Sequence, residues 1–441
     1  MASCGGRADA VPGGRFRMSD TIVVTYRIET AGSVAALAET IASDQSTGTF
    51  VALPGETPAL KARVGARVLA VRDLGTTEEA GFGAEAAPAP GPYRRGEADI
   101  AFPLEAVGVD LAALLTICIN GVYAIKGFTG IRVVGLSLPA AFSERYPGPQ
   151  FGIDGSFALT GVGRGRPIIG TIVKPALGLY PHESAAMIRD LAEAGVDFVK
   201  DDEKLMGPAY SSLKDRVHAV MPVIRDHEQR TGKKVMMAFG ITATDPDEML
   251  RNHDIVLAAG GNAAVVNINS IGPGAMLFLR KRSGLVLHAH RNGWDILTRH
   301  PALGLDFAVY ETLWRLLGVD QFQINGIAAK YWEPDASFVR SYEALRKPLA
   351  RATDRPLPVV CSGQWGGQAP ETLQATQGST DFLYLCGGGV VSHPGGPAAG
   401  VKAVGQAWDA AKAGVPLDVH ARDHPELAAS LAKFGPAPSA P

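Results

Sequence analysis

The chain has 441 residues, a formal net charge of −2, and 46% hydrophobic against 20% charged residues, a soluble composition with room for one large domain and a smaller one. The near-neutral charge gives no footing for nucleic acid or an anionic membrane surface, and no apolar run reaches the ~18 residues a membrane span needs. The four cysteines (Cys4, Cys118, Cys361, Cys386) show no CxxC spacing, and the last three sit in apolar runs, which reads as reduced buried thiols and a cytoplasmic location.

Residues 1–17 are rich in Gly, Ala and Arg, lack periodicity and lack the apolar core of a signal peptide. They are expected as a disordered extension or the product of an upstream start, with Met18 just ahead of the first strand. Residues 18–145 read as a smaller α+β domain of ferredoxin-like kind. Strand-like patterns cover 21–29, 63–73, 98–103 and 130–136, and helix-like patterns cover 33–42 and 111–125. Gly/Pro-rich stretches at 86–93 and 146–166 read as a loop and a linker.

From Pro167 the pattern becomes regular. Strands are expected at 167–175, 197–202, 233–241, 263–269, 285–290, 320–325, 357–362 and 382–386, with helices such as 182–194 and 213–224 between them. The second helix puts Leu213, Val217, Val220 and Ile224 on one stripe, and Pro222 is expected to strain it. Eight strand–helix beats predict a (β/α)8 TIM barrel spanning 146–425, with a doubly wound open sheet as the alternative. Residues 426–441 read as a tail, loose over 434–441.

The polar residues gather at strand exits, where a barrel builds its active site. Lys200 and Asp202 share one face of the second barrel strand and Glu203 follows at its exit. One reading is an internal salt-bridge cluster. The other is a hard-cation site for Mg²⁺, which takes carboxylate oxygens and keeps several waters. Lysine joins such a site only as a carbamate formed from its neutral amine and CO2. Lys174 stands alone at the end of the first strand, where desolvation would lower its pKa as a proton-transferring base requires, or where it snorkels at the rim. On the fifth strand His288 reads as a hydrogen-bonded core residue, His290 as a substrate neighbour and Arg291 as an anion clamp. Ser362-Gly363 and Gly387-Gly388-Gly389 follow strands seven and eight, the recurrent phosphate position of this fold. Lys330, beside Tyr331 and Trp332, fits a loop that closes over ligand, or a solvated surface lysine.

Together these residues resemble the large subunit of ribulose bisphosphate carboxylase, and more closely the RuBisCO-like proteins, over residues 21–425. The resemblance implies a base at Lys174, a carbamylated Lys200, Mg²⁺ ligands Lys200, Asp202 and Glu203, and catalytic roles for His290 and the mobile-loop Lys330. It implies substrate binding by Arg291, Ser362, Gly363, Gly387 and Gly388. The segment Ser46-Thr47-Gly48-Thr49-Phe50 resembles the one that reaches into a partner's barrel, so Thr49, Phe50 and Asn120 become substrate contacts in a homodimer whose active site is shared between chains. The departures are Asp44, Gly121 (with Asn120 adjacent), Ala176, Lys204, Trp294, Gln323 to Asn325, and Gln364. They fall on groups that serve the bisphosphate and the carboxylation steps. The resemblance therefore implies metal-assisted enolisation of a phosphorylated keto sugar or sugar acid without CO2 fixation. The leading expectation is a decarboxylase or transcarboxylase/hydrolase of 3-oxo-isoapionate 4-phosphate. The alternatives are a methionine-salvage enolase or isomerase, and a non-catalytic regulatory barrel.

Overall fold

The structure, a computed structural model, describes residues 20–49, 51–81 and 90–435. The extension expected over 1–17, the candidate contact Phe50 and part of the 86–93 loop lie outside the described residues. The chain forms two compact units, one of residues 1–145 with 300–309, the other of 146–299 with 310–441.

The first unit is a five-stranded sheet. Its strands β1 (Thr21–Thr30), β2 (Arg67–Thr77), β3 (Tyr93–Pro103), β4 (Gly130–Ser137) and β10 (Leu303–Leu305) are ordered β10-β4-β1-β3-β2. The alternation of β1 buries Ile22, Val24, Tyr26 and Ile28 completely, while Arg27 faces out to pair with Glu97. The strand expected over 63–73 begins only at Arg67, because Pro58–Val64 is a helix capped by the Thr57 hydroxyl with proline in its first turn. The helix expected over 111–125 is α-helical for one turn, then π-helical over Leu115–Asn120, then 3-10 over Gly121–Ala124. Residues 300–309, assigned to the barrel from the sequence, group with this first unit. β10 lies parallel to β4, Leu303 opposite Ile131.

The second unit contains the expected closed barrel. Its strands are β5 (Ile168–Ile172), β6 (Phe198–Lys200), β7 (Met236–Gly240), β8 (Ala263–Asn267), β9 (Val286–His290), β11 (Gln321–Ile324), β12 (Leu357–Val360) and β13 (Leu383–Leu385), all parallel, each inside an expected range. The helix after β6 runs unbroken from Leu213 to Thr231 through Pro222. Its buried stripe of Leu213, Val217, Val220 and Ile224 outweighs the backbone bond that proline removes.

The segment read as a linker contains a helix, Gly152–Thr160. Its Ile153 and Phe157 pack on Ile168, Phe198, Met236, Leu357 and Leu383. Those are the first residues of their strands, so this helix seals the barrel's N-terminal end and leaves chemistry to the other end. Asp320, fully buried, pins it. One carboxylate oxygen accepts the Gln150 and Phe151 amides at 2.7 and 2.6 Å, and the other accepts the Leu287 amide at 2.9 Å and Arg280 at 2.6 Å. The expected C-terminal tail is also structured up to Phe434. Pro425–Phe434 is a helix that buries Leu427, and Phe434 packs on Trp365 with ring centroids 5.2 Å apart. Cys118, Cys361 and Cys386 are buried free thiols. Among the described residues no helix is long and apolar enough to cross a membrane.

Candidate active site

β5 and β6 run side by side with Ile172 opposite Lys200, so their exits bring Lys174 and residues 200–203 to one sector of the barrel mouth. Side chains alternate along the second exit. Asp201 turns away from the mouth, accepting the Gly240 amide at 3.0 Å and the Arg216 guanidinium at 3.2 and 3.3 Å. Lys200 and Asp202 turn inward and are 0% and 1% exposed. The Lys200 ammonium donates to the Asp201 carbonyl at 2.8 Å and to Glu203 Oε2 at 3.4 Å. Lys174 forms an ion pair with Asp202 Oδ2 and keeps 35% of its side chain exposed. Lys174 therefore does not stand alone at its strand end, because the neighbouring strand supplies a counter-ion.

The two histidines of β9 are neutral for different reasons of placement. His290 Nδ1 accepts the Asn292 amide at 3.2 Å, so Nε2 carries the proton and faces Glu203 Oε2 at 3.3 Å. Burial, then the charges of Lys200 and Arg291, hold its pKa well below the usual value. Burial works to raise the Glu203 pKa, but Lys200 and Lys174 together hold it below the carboxylate norm. His288 sits in the barrel interior between Gln321 Oε1 at 2.9 Å and the Gln323 amide at 3.0 Å. Desolvation, with Lys200 secondarily, pushes His288 down to about 3. Below about pH 6.5 the unfolded chain therefore binds a proton at this residue that the folded chain refuses until about pH 3. Stability rises with pH across that window. The group alone is expected to cost about 2 kcal/mol of unfolding free energy between pH 6.5 and pH 5. Denaturant midpoints at the two pH values check this, and His288→Gln should flatten the difference.

Arg291 differs from expectation. Its guanidinium is buried against Glu333 Oε2 at 2.5 Å and lies 4.8 Å from the Trp294 ring centroid. The residue read as an anion clamp therefore reaches the site with a carboxylate partner already in place. Across the mouth, Ser362 (φ 75°) and Gly363 (φ 90°) are consecutive left-handed residues. A serine there stores backbone strain of the kind found at ligand clamps. The stem of Lys330 lies against Gly363, 3.0 Å from where a Cβ would stand. The Lys330 amide donates to the Ser362 carbonyl at 3.0 Å. Gly387 and Gly388 open on the same space, whereas a Cβ on Gly389 would meet the Gln364 carbonyl at 2.4 Å.

These groups border one cavity of about 250 Å³. Of the residues named from the sequence, Lys174, Glu203, His290, Arg291 and Lys330 line it, as do Ser362, Gly363, Gly387 and Gly388. Lys200 and Asp202 are too deeply buried to border it. Thr49 and Asn120 are exposed residues of the first unit. Sequence reasoning did not single out Glu333, Asp295 or Lys204 as site residues, yet all three line the cavity. Glu333 carried a usable signal, since a carboxylate in an aromatic run beside proline must find a partner if it is buried.

Asp202 and Glu203 are two carboxylates facing the ammonium groups of Lys174 and Lys200. Among the described residues no three His, Cys, Asp or Glu side chains form a metal-holding group. Two hard oxygens fit Mg²⁺, and a carbamate on Lys200 would turn the central cation into a third.

The model of the ribulose bisphosphate carboxylase large chain, catalytic domain, matches residues 159–434. A 3-oxo-isoapionate-4-phosphate decarboxylase of Rhizobium etli is 68% identical over 413 residues, 94% of this chain and 98% of the relative. A 3-oxo-isoapionate-4-phosphate transcarboxylase/hydrolase of Xanthobacter autotrophicus is 42% identical, covering 94% and 99%. The crystal structure of a rubisco-like protein from Burkholderia fungorum superposes with a TM-score of 0.87 at 42% identity, covering 94% of this chain and all of that one. With its barrel, its Lys-Asp-Asp-Glu strand exit and its paired Gly-containing loops, the chain belongs to the ribulose bisphosphate carboxylase large-chain family, as a RuBisCO-like protein.

Proposed function

We propose that this enzyme decarboxylates a phosphorylated 3-oxo sugar acid, 3-oxo-isoapionate 4-phosphate. The observation that carries the reading is the 68% identity, across nearly the whole of both chains, to a protein of that name. The site chemistry supports it. In a 3-oxo acid the C1–C2 bond breaks, its electron pair moves through C2 onto the C3 oxygen, and CO2 leaves. A proton then adds to C2 and the ketone re-forms. Asp202, Glu203 and a carbamylated Lys200 would hold Mg²⁺, which supplies an electron sink for the C3 oxygen. Lys174 delivers the proton to C2 from Nζ, and its ion pair with Asp202 holds that ammonium in place. His290, neutral with the proton on Nε2, faces Glu203 Oε2 at 3.3 Å and buttresses that carboxylate. Lys330 and the loops at Ser362-Gly363 and Gly387-Gly388 seat the phosphate and so orient the scissile bond. In a homodimer, Thr49 and Asn120, both exposed, would complete the partner's cavity.

The test is incubation of the purified protein with Mg²⁺, bicarbonate and the oxo acid. One equivalent of CO2 per ketose phosphate is expected. Cleavage to two shorter acids would favour the transcarboxylase/hydrolase activity named for the Xanthobacter relative. Solvent deuterium uptake confined to a methylthio-ketose phosphate would replace this reading with the methionine-salvage one.

A further inference from the structure

The cations that border the cavity are of two kinds. Lys174 is paired with Asp202, and Arg291 with Glu333. Lys204 and Lys330 border the same cavity, and among the described residues neither makes an ion pair. A phosphorylated oxo acid carries two anionic groups, one for each unpaired cation. Lys330, its stem against Gly363, stands at the phosphate loops. We propose that Lys204 is the specificity residue for the leaving carboxylate. This rests on the decarboxylase reading above.

The placement supports it. Around the barrel the strands follow the order β12, β13, β5, β6. The phosphate-type loops leave β12 and β13, Lys174 follows β5, and Lys204 follows β6. A ligand with its phosphate on the first pair of exits and its carboxylate at Lys204 carries the intervening carbon past Lys174. That carbon is the one that loses CO2 and takes a proton. The Lys204 amide donates to Asp202 Oδ1 at 3.1 Å, which fixes its backbone beside the carboxylate that holds Lys174. Lys204 itself is exposed. An exposed ion pair is weak and screened, so the carboxylate is oriented without being strongly stabilised against leaving, and CO2 departs on the solvent side.

The experiment compares wild type with Lys204→Gln in two measurements, KM for the oxo acid and the competitive inhibition constant of the decarboxylated ketose phosphate. Lys204→Gln is expected to raise KM by about 2- to 5-fold and to leave the inhibition constant unchanged, because the product has no carboxylate. The difference should shrink between about 0.05 and 0.5 M NaCl. Equal rises in both constants would overturn the proposal and assign Lys204 to the phosphate. No change in either would overturn it and leave a solvated lysine. Wild-type protein that releases no CO2 from the oxo acid would instead strike the decarboxylase reading.

Discussion

Replacing Lys174 with alanine is expected to lower kcat for CO2 release by about 10²- to 10⁴-fold, the range for loss of a positioned proton donor. KM should change little, because the phosphate seat proposed above lies on other strand exits. The substitution also removes the ammonium that occupies Asp202 Oδ2, so Mg²⁺ affinity, read by titration calorimetry, should hold or rise. This separates loss of the proton donor from collapse of the site, which would weaken both. Because Lys174 is 35% exposed, the space it vacates is open to small solutes. Added methylamine should restore part of the rate and should do so more strongly at pH values where it is protonated. A kcat within threefold of wild type would remove Lys174 from the mechanism.

The legible part of this chain is the part fixed by local pattern. Each barrel strand is a short apolar run between amphipathic helices, so its place follows from neighbours in sequence, and a polar residue at its end marks a strand exit. Lys174, Lys200 and Glu203 could be found that way. The unread part depends on contacts distant in sequence. β10 is three residues, Leu303-Gly304-Leu305, and becomes a strand only because β4 offers it an edge. The Gly152–Thr160 helix lies in a Gly/Pro-rich stretch and is held by the open lower end of the barrel and by Asp320, 160 residues or more away. Arg291 was visible as a cation, but its charge balance was not, since Glu333 is 42 residues distant. Lys174 was visible as a lysine beside apolar residues, and only the pairing of β5 with β6 shows that Asp202 meets it. Identity and position were readable, whereas electrostatic state was not.

The metal-type motif has a support that the chemistry never touches, and removing it should produce the largest loss of stability. Arg216 and Asp201 are 1% and 2% exposed, and the guanidinium also donates to the Ser211 carbonyl. Burial pushes the Asp201 pKa up, and Arg216 works against that. Arg216→Met would leave a buried carboxylate with only the Gly240 amide, at a cost of about 3–5 kcal/mol. Asp201 would then protonate more readily in the folded state than in the unfolded chain. The folded form gains protons, stability is lost as pH rises through that higher pKa, and the deficit should be larger at pH 7.5 than at pH 5. The Lys200–Glu203 exit would loosen, so the Mg²⁺ concentration for half-maximal activity should increase. Adding Asp201→Asn to Arg216→Met removes the charge while keeping an acceptor for the Gly240 amide. The double variant is expected to recover more than half of the lost stability and to lose the pH dependence. A double variant as unstable as the single one would mean that the packing of the arginine stem, and not its charge, holds this exit in place.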